Sequence, residues 1–447
     1  MTEGGGNTRV SAGVLINPKS IDSVGYIEAL RFGTTEHEII ETYVENAIQN
    51  EDWIRELGAE TEPHPQITGI TYPVCPLPCF PNIPGWDSIT TYNVRRQGKQ
   101  RKEREWFGAN LWNLLSSNVD RRGIAVMTNT PAKELVTNEQ GAVIGVIAER
   151  EGEKISVMAK RAVVLTSGGF EYNEAMKQSF LPCGPFYALG SPGNTGDGII
   201  MAQKVGAALW HMAAIACPLG FKAPEYEAAF DVMLFGDRFI YVDIDGKRFA
   251  NETELEMHEM WRTISFFDSA RVCYPRLPTY AIFDDVTRRK GPLAQKMGVN
   301  MDYEWSLDNS KEIAKGWISR GKTMRELAQT ISVDESTLED TVKRYNESCR
   351  TGVDADFSRS KESLGPIGKA PYYAITLWPS LLNTQGGPRR DKNAMVLNYE
   401  GTPISRLYSA GELGSLWGFL YEAAGNLTEC LAFGRIAGRN AAAEKPW

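Results

Sequence analysis

The sequence predicts an α/β fold in which one domain is interrupted by another, and two observations carry that expectation. Glycine-dense turns recur at residues 4–7, 167–170, 193–198 and 410–412, each beside a run of strand or helix character. Strand, turn and helix patterns fill the chain to about residue 215 and return near Tyr372, whereas the stretch between them changes character. Without a Cβ the backbone can approach a bulky ligand, and successive N–H groups in such turns, above all where a helix begins, form sites for anions. Several such turns together point to one large ligand wrapped by backbone. A chain of 447 residues, 42% hydrophobic and 23% charged, can build more than one packed core.

In order along the chain, Ile40, Tyr43, Val44, Ala47, Ile48, Ile54 and Leu57 recur at helical spacing. Thr35 and Glu38 match the capping-box pattern and Gly58 supplies a stop, so the spacing predicts one helix over residues 35–57. Residues 61–92 are dense in proline, which forbids long helices, and predict an extended surface excursion on the substrate side. A second helix is expected over 108–122, then a strand meander that ends on a buried strand at 162–166, then a helix over 196–208. The last helix pattern ends at Ala443. The basic run Arg95, Arg96, Lys99, Arg101, Lys102 and Arg104 is interrupted by Glu103 and Glu105, the pattern of a solvated helix start.

Composition excludes some classes of function. Lys and Arg number 48 against 56 Asp and Glu, a net charge of −8, the wrong sign for a partner of nucleic acid or of an anionic membrane. No stretch approaches the roughly 18 apolar residues of a membrane span. The N-terminus has neither a basic nor an apolar segment of a signal peptide, so the cytoplasm is the expected location. Seven cysteines without repeated spacing fit a reducing compartment. Cys75 and Cys79 form C-x-x-x-C with no second pair, and with four His in the whole chain no metal is expected.

Seven pieces share one order along the chain: GGGNTRVSAG from Gly4, TPAKELV with GAVIGV from Thr130, AVVLTSGGF from Ala162, GNTGDGIIMAQKVGAAL from Gly193, DGKRFANE from Asp245, TQGG from Thr384, and LYSAGELG with the terminal GNLTECLAFGRIAGRNAA. Together they resemble the FAD-dependent fumarate reductase and succinate dehydrogenase flavoprotein superfamily, including its 3-ketosteroid dehydrogenase and soluble enoate reductase branches. The resemblance implies FAD as cofactor and a Rossmann-like FAD-binding domain made of residues 1–215 and 366–447. It also implies an α+β capping domain at 216–365 that closes over the flavin and excludes water. Position by position, it implies Gly5, Gly6, Asn7, Thr8, Ser11 and Gly13 along the pyrophosphate and flavin, Ala132 against adenine, and Ser167 and Gly168 near the dinucleotide. Asp197 is the acidic residue of the GDG turn, and Glu412 the one near the ribityl chain. Gly425, Asn426 and Leu427 match a helix N-terminus that faces the flavin pyrimidine ring, where N–H groups stabilise negative charge. The family opens with a strand and a G-x-G-x-x-G turn that precede the first of these motifs. Met1 stands after that βαβ unit, for which a misplaced start or a truncation is the expected reason and a segment from another chain the remaining one. FAD binding by the chain as written is expected to be weak or absent.

The reaction is read from departures. Fumarate-reducing members carry an Arg four residues after the Glu of R-F-x-N-E as proton donor, and clamp a dicarboxylate with His and Arg. Here Arg248, Phe249, Asn251 and Glu252 fit, but Glu256 stands at the donor position, Leu382 and Asn383 where the His is expected, and Tyr421 where the late Arg is. Dicarboxylate chemistry is therefore not expected. Tyr421 with Gly425 four residues on resembles the 3-ketosteroid dehydrogenase pattern, in which a phenol and a backbone N–H polarise a ketone; Glu422 and Ala423 replace its Pro-Gly. This likeness implies hydride transfer between FAD and a C–C bond adjacent to the carbonyl of an apolar, ketosteroid-like substrate. Tyr421 and Gly425 would hold the carbonyl and Glu256 exchange the proton. Against Glu256, ETELEMHEM also reads as a solvated helix face, and His258 is a second candidate in it. Arg248 and Tyr92 complete the catalytic set. The alternatives are an enoate reductase for an unsaturated carboxylate, with Arg248 or Arg389 and Arg390 as anion partner, and a non-catalytic subunit or remnant. The electron donor or acceptor is unidentified, since the chain lacks a haem-attachment C-x-x-C-H. Most of Trp261, Phe266, Phe267, Tyr274, Trp305 and Trp317 are expected in the core and the rest along the substrate pocket.

Overall fold

Residues 3–64, 71–72, 76–95, 107–294 and 297–447 are described in the computed structural model. Cys75 and the basic run beyond Arg95 lie outside the described residues; Arg95 itself pairs with Glu60 at 3.0 Å. Among the described residues no helix is long and apolar enough to cross a membrane.

The expected meander forms. Strands Ala132–Thr137, Val143–Arg150 and Glu153–Met158 make an antiparallel sheet, with Ala132 opposite Ala148 and Gly145 opposite Met158. The next strand, Val163–Leu165, expected to be buried, is buried only at Leu165; it runs parallel to Pro403–Ser409, with Val163 opposite Leu407, so segments on either side of the middle region share one sheet. Helix Gly425–Ala443 packs across it, and its apolar residues Ala432, Phe433 and Ile436 share a core with Ile40, Tyr43, Val44, Tyr408 and Trp417.

One helix was expected over 35–57 and two are found, His37–Ile48 and Asn50–Glu56. The capping box is absent because Thr35 is buried and its hydroxyl donates to the Leu416 carbonyl at 2.7 Å. The helix is interrupted where the fully buried Asn50 side chain donates to the Thr428 carbonyl at 3.1 Å. Gly58 ends the second helix as expected, through a Schellman pair in which the Gly58 N–H meets the Arg55 carbonyl at 2.9 Å and the Ala59 N–H the Ile54 carbonyl at 3.2 Å.

The middle of the chain builds a second sheet, in the order Phe230–Asp231, Leu219–Phe221, Tyr372–Leu381, Thr279–Asp284, Phe239–Val242, with Ile318–Gly321 and Tyr187–Ala188 also on the long strand. Strand Tyr372–Leu381 reaches this sheet from beyond residue 365. Alternation sets its two faces. Phe239, Tyr241 and Phe283 point into an aromatic core with Trp305 and Trp317, whereas Ile240, Val242 and Ile282 meet helices Met324–Ile331 and Glu335–Thr351. Trp261 is also buried, and Phe266 and Phe267 are exposed.

Candidate active site

The glycine turns converge as the sequence implied. Asn7, in the short helix Gly6–Val10, donates to a Glu412 carboxylate oxygen at 3.2 Å and accepts the Ser191 N–H at 2.7 Å. Segments far apart in sequence are thereby tied at one point. Glycine is required where they meet: a Cβ on Gly169 would lie 2.1 Å from the Thr384 hydroxyl and 2.7 Å from Glu412, and one on Gly190 would lie 2.3 Å from Asn7 Oδ1. Gly168, at φ +76°, faces the Asn194 side chain, and a Cβ on Gly198 would lie 2.1 Å from Ser167 Oγ, which seats the start of helix Asp197–Lys204 on that turn. Asp197 itself is exposed and takes the Thr195 hydroxyl at 3.0 Å. Gly5, Gly6 and Gly13 all have positive φ, and Ser11 closes the turn between the Thr8 carbonyl (2.8 Å) and the Gly13 N–H (3.1 Å). Ala132 packs against the core of Leu165, Ile199 and Leu407.

Burial and the neighbouring Glu171 carboxylate hold Glu412 well above the usual carboxylate range. Among the described residues its Oε1, like Asn194 Nδ2, is buried without a hydrogen-bond partner. Polar groups in that condition call for a ligand rich in hydroxyls and acceptors, and FAD is such a ligand. The residues fit it: Asn7, Glu412, Asn194 and the turn at Ser167 and Gly168 would hold it, with the first turn of helix Gly425–Ala443 beside them. That turn is fixed by Asn426, whose amide pairs with Gln385 (2.8 and 3.2 Å), while Leu427 packs on the core of Leu15, Ile54 and Tyr92.

A second group lies around Tyr421. The phenol, buried, faces the Asn426 backbone N–H, and burial raises its pKa, so it stays protonated as a donor. Its ring meets His258 edge-on at 5.2 Å and Trp417 at 5.9 Å. His258 Nδ1 lies 2.7 Å from Glu256 Oε1, and Glu256 Oε2 accepts the His258 N–H at 2.8 Å. The run 252–259 is therefore not a solvated helix face: it forms turns, with Glu252, Met257, His258 and Glu259 buried. Glu259 ties these turns to the Tyr421 loop by accepting the Tyr421 N–H at 2.9 Å. Gly425 is placed differently from expectation. Its N–H donates to the Glu422 carbonyl at 2.9 Å, and the space of a Cβ is filled by the Trp417 ring, 2.3 Å away.

Arg248 and Tyr92 are not brought to this group. Arg248 binds Glu252 at 2.9 Å and Asp354 at 3.1 Å in a buried network that includes Arg359. Tyr92 lies on the middle strand of a three-stranded antiparallel sheet, between Leu15 and Pro63, and packs in the core with Leu427. Arg389 and Arg390 are also held by carboxylates, Glu36 and Glu429.

Sequence reasoning missed Tyr26 and Asp231, and gave no site role to Glu422 and Cys79. Glu422 is fully buried and takes the Tyr26 hydroxyl at 2.6 Å and the Cys79 N–H at 2.8 Å. Its one signal was the position itself, a carboxylate directly after Tyr421 in place of proline. Asp231 is buried, both its oxygens lack a hydrogen-bond partner among the described residues, and His258 is the charge that acts on it.

Burial lifts Glu422 from the usual 4.5 to about 7. A carboxylate raised in the folded state contributes stability below its unfolded pKa and loses it as pH rises through the folded value. Stability should therefore decline between about pH 4.5 and 7, by roughly 3 kcal/mol from this group. In Glu422→Gln the fall in Tm from pH 5 to 8 should be smaller than in the unaltered chain. Burial raises Asp231 to about 7 too, so part of the decline remains. Equal slopes in the two proteins would show that Glu422 titrates normally.

Glycine turns from both ends of the chain, meeting at a parallel strand pair beside a second sheet-built region, define an α/β flavoprotein fold. The chain belongs to the FAD binding domain family, whose description matches residues 25–427. A urocanate reductase of Eggerthella lenta is 31% identical over 72% of the chain and 51% of that protein. A 3-oxosteroid 1-dehydrogenase of Mycobacterium tuberculosis is 30% identical over 74% of the chain and 62% of that protein. The chain thus spans about half to three fifths of these relatives. Among solved structures, a 3-ketosteroid Δ1-dehydrogenase of Sterolibacterium denitrificans superposes with a TM-score of 0.81 at 23% identity, covering 98% of this chain and 93% of that one. A flavocytochrome c3 fumarate reductase gives 0.71 at 22% identity, covering 98% and 72%.

Proposed function

We propose that the chain is an FAD-dependent oxidoreductase acting on a C–C bond adjacent to the carbonyl of an apolar, ketosteroid-like substrate. FAD, when bound, supplies the hydride acceptor or donor. Tyr421 donates a hydrogen bond to the carbonyl oxygen and so stabilises the enolate that forms when the neighbouring carbon loses its proton. Glu256, oriented by His258 and by the backbone N–H groups that it accepts, exchanges that proton. Residues 216–365, joined in their sheet by strand Tyr372–Leu381, act as the cap that keeps water from these groups.

The observation that carries this reading is the meeting of Tyr421 with His258 and Glu256 while Arg248, Arg389 and Arg390 are each held by carboxylates. A carboxylate substrate would need a cation there. A 4-oxocyclohexanecarboxylate 2-dehydrogenase and 3-oxosteroid 1-dehydrogenases among the relatives support it.

One residue favours the second reading, reduction of an unsaturated carboxylate. Arg31 is fully buried, stacks 4.1 Å over Trp417 and donates to the Leu420 carbonyl, and among the described residues its Nε and Nη1 have no hydrogen-bond partner. The two readings separate in anaerobic half-reactions of the FAD-loaded chain. A saturated 3-ketosteroid should bleach the oxidised flavin, and acrylate or urocanate should fail to restore the colour of the reduced one. Reoxidation by the acids alone, lost in Arg31→Met, would replace the ketone reading by the carboxylate one.

A further inference from the structure

The proline-rich segment and the 252–259 turns meet at a group of side chains that the redox reading leaves partly unused. The Cys79 sulfur, a Glu256 carboxylate oxygen and a His258 ring nitrogen all lie within 4.8 Å of one another. These are one soft, one borderline and one hard donor, the mixed set that zinc accepts. They come from segments nearly 180 residues apart, and the fold draws them together in a largely dry place: Cys79 and His258 are buried and Glu256 is half-buried. Glu422, beside Cys79, adds a further carboxylate oxygen at the Cys79 N–H. Among the described residues no Arg or Lys forms an ion pair with Glu256 or Glu422. Glu256 also acts on Glu422 as a like charge, whereas Glu259 is paired with Arg262 at 2.6 Å. Carboxylates crowded into an interior and not ion-paired to Arg or Lys are stabilised by a bound ion, which offsets their desolvation.

We propose that Cys79, Glu256 and His258 form a binding site for one divalent ion of the zinc class. The ion would take the thiolate, one carboxylate oxygen and one imidazole nitrogen, and water or Glu422 would complete a four-coordinate shell. Binding releases the thiol proton to solvent, so affinity rises with pH. Bound there, the ion fastens the proline-rich segment to the turns that carry Glu256. Only the consequence for turnover rests on the reading above: ligation removes the Glu256 lone pair from proton exchange, and zinc inhibits.

Ligation is read without reference to turnover, by adding Co2+ to the full chain under reducing conditions. One equivalent should produce visible ligand-field bands together with a near-ultraviolet thiolate-to-cobalt charge-transfer band, and zinc should displace both. In Cys79→Ser the charge-transfer band should vanish. In His258→Gln the band should remain while affinity falls by more than the 10- to 100-fold loss typical of outer-shell partners. His258→Gln serves as the decisive variant should Cys79→Ser fail to fold. Absence of any cobalt spectrum in the unaltered chain, or a charge-transfer band undiminished in a folded Cys79→Ser, or affinity unchanged in His258→Gln, would overturn the site. A cobalt spectrum with zinc-insensitive turnover would uphold the site and contradict the role of Glu256 in proton exchange.

Discussion

Replacing Tyr421 by phenylalanine is expected to lower kcat by about 10²- to 10³-fold, the usual effect of removing one donor to a developing oxyanion. Packing should barely change, because the ring keeps its edge-on contacts with His258 and Trp417 and only the hydroxyl is lost. Flavin content and Tm of the variant should therefore stay close to those of the unaltered chain. An enzyme that turns over unchanged without the hydroxyl has its carbonyl held elsewhere.

Glu256→Gln should have an effect at least as large, about 10²- to 10⁴-fold on kcat, since the amide can neither take nor give the proton. Gln keeps one oxygen for the His258 and Glu259 N–H groups, which meet Glu256 Oε2 at 2.8 and 3.1 Å, so the turn is preserved. The distinguishing readout is isotopic. In deuterated water the unaltered enzyme should exchange hydrogen at the carbon next to the carbonyl, and the variant should not. Exchange persisting in Glu256→Gln would move the role to His258 or Glu422.

The glycine turns were legible in the sequence because the need for a missing Cβ is local: Gly168 and Gly13 have positive φ, and Gly169 leaves no room for a side chain. Their convergence through Asn7 and Glu412, 405 residues apart, was implied only by resemblance. The helix over 35–57 was overextended because its interruption answers to the Thr428 carbonyl of the terminal helix, to which Asn50 donates. Tyr421 and Glu256 were singled out by their places in motifs. Arg248 was read as part of the site from the same kind of motif, yet Asp354, 106 residues on, fixes its guanidinium in the interior. Glu422 was missed because it stood where a familiar pattern broke, and only the fold shows that Tyr26 and Cys79 surround it.

The central claim is that Tyr421 polarises the carbonyl next to the reacting bond, and the infrared stretch of that carbonyl in a bound, isotopically labelled 3-ketosteroid tests it most directly. A hydrogen bond from the phenol should move the band below its position in apolar solvent, and in Tyr421→Phe with steroid still bound it should return most of the way. The same frequency in both proteins would contradict the assignment of Tyr421, whatever the rates show.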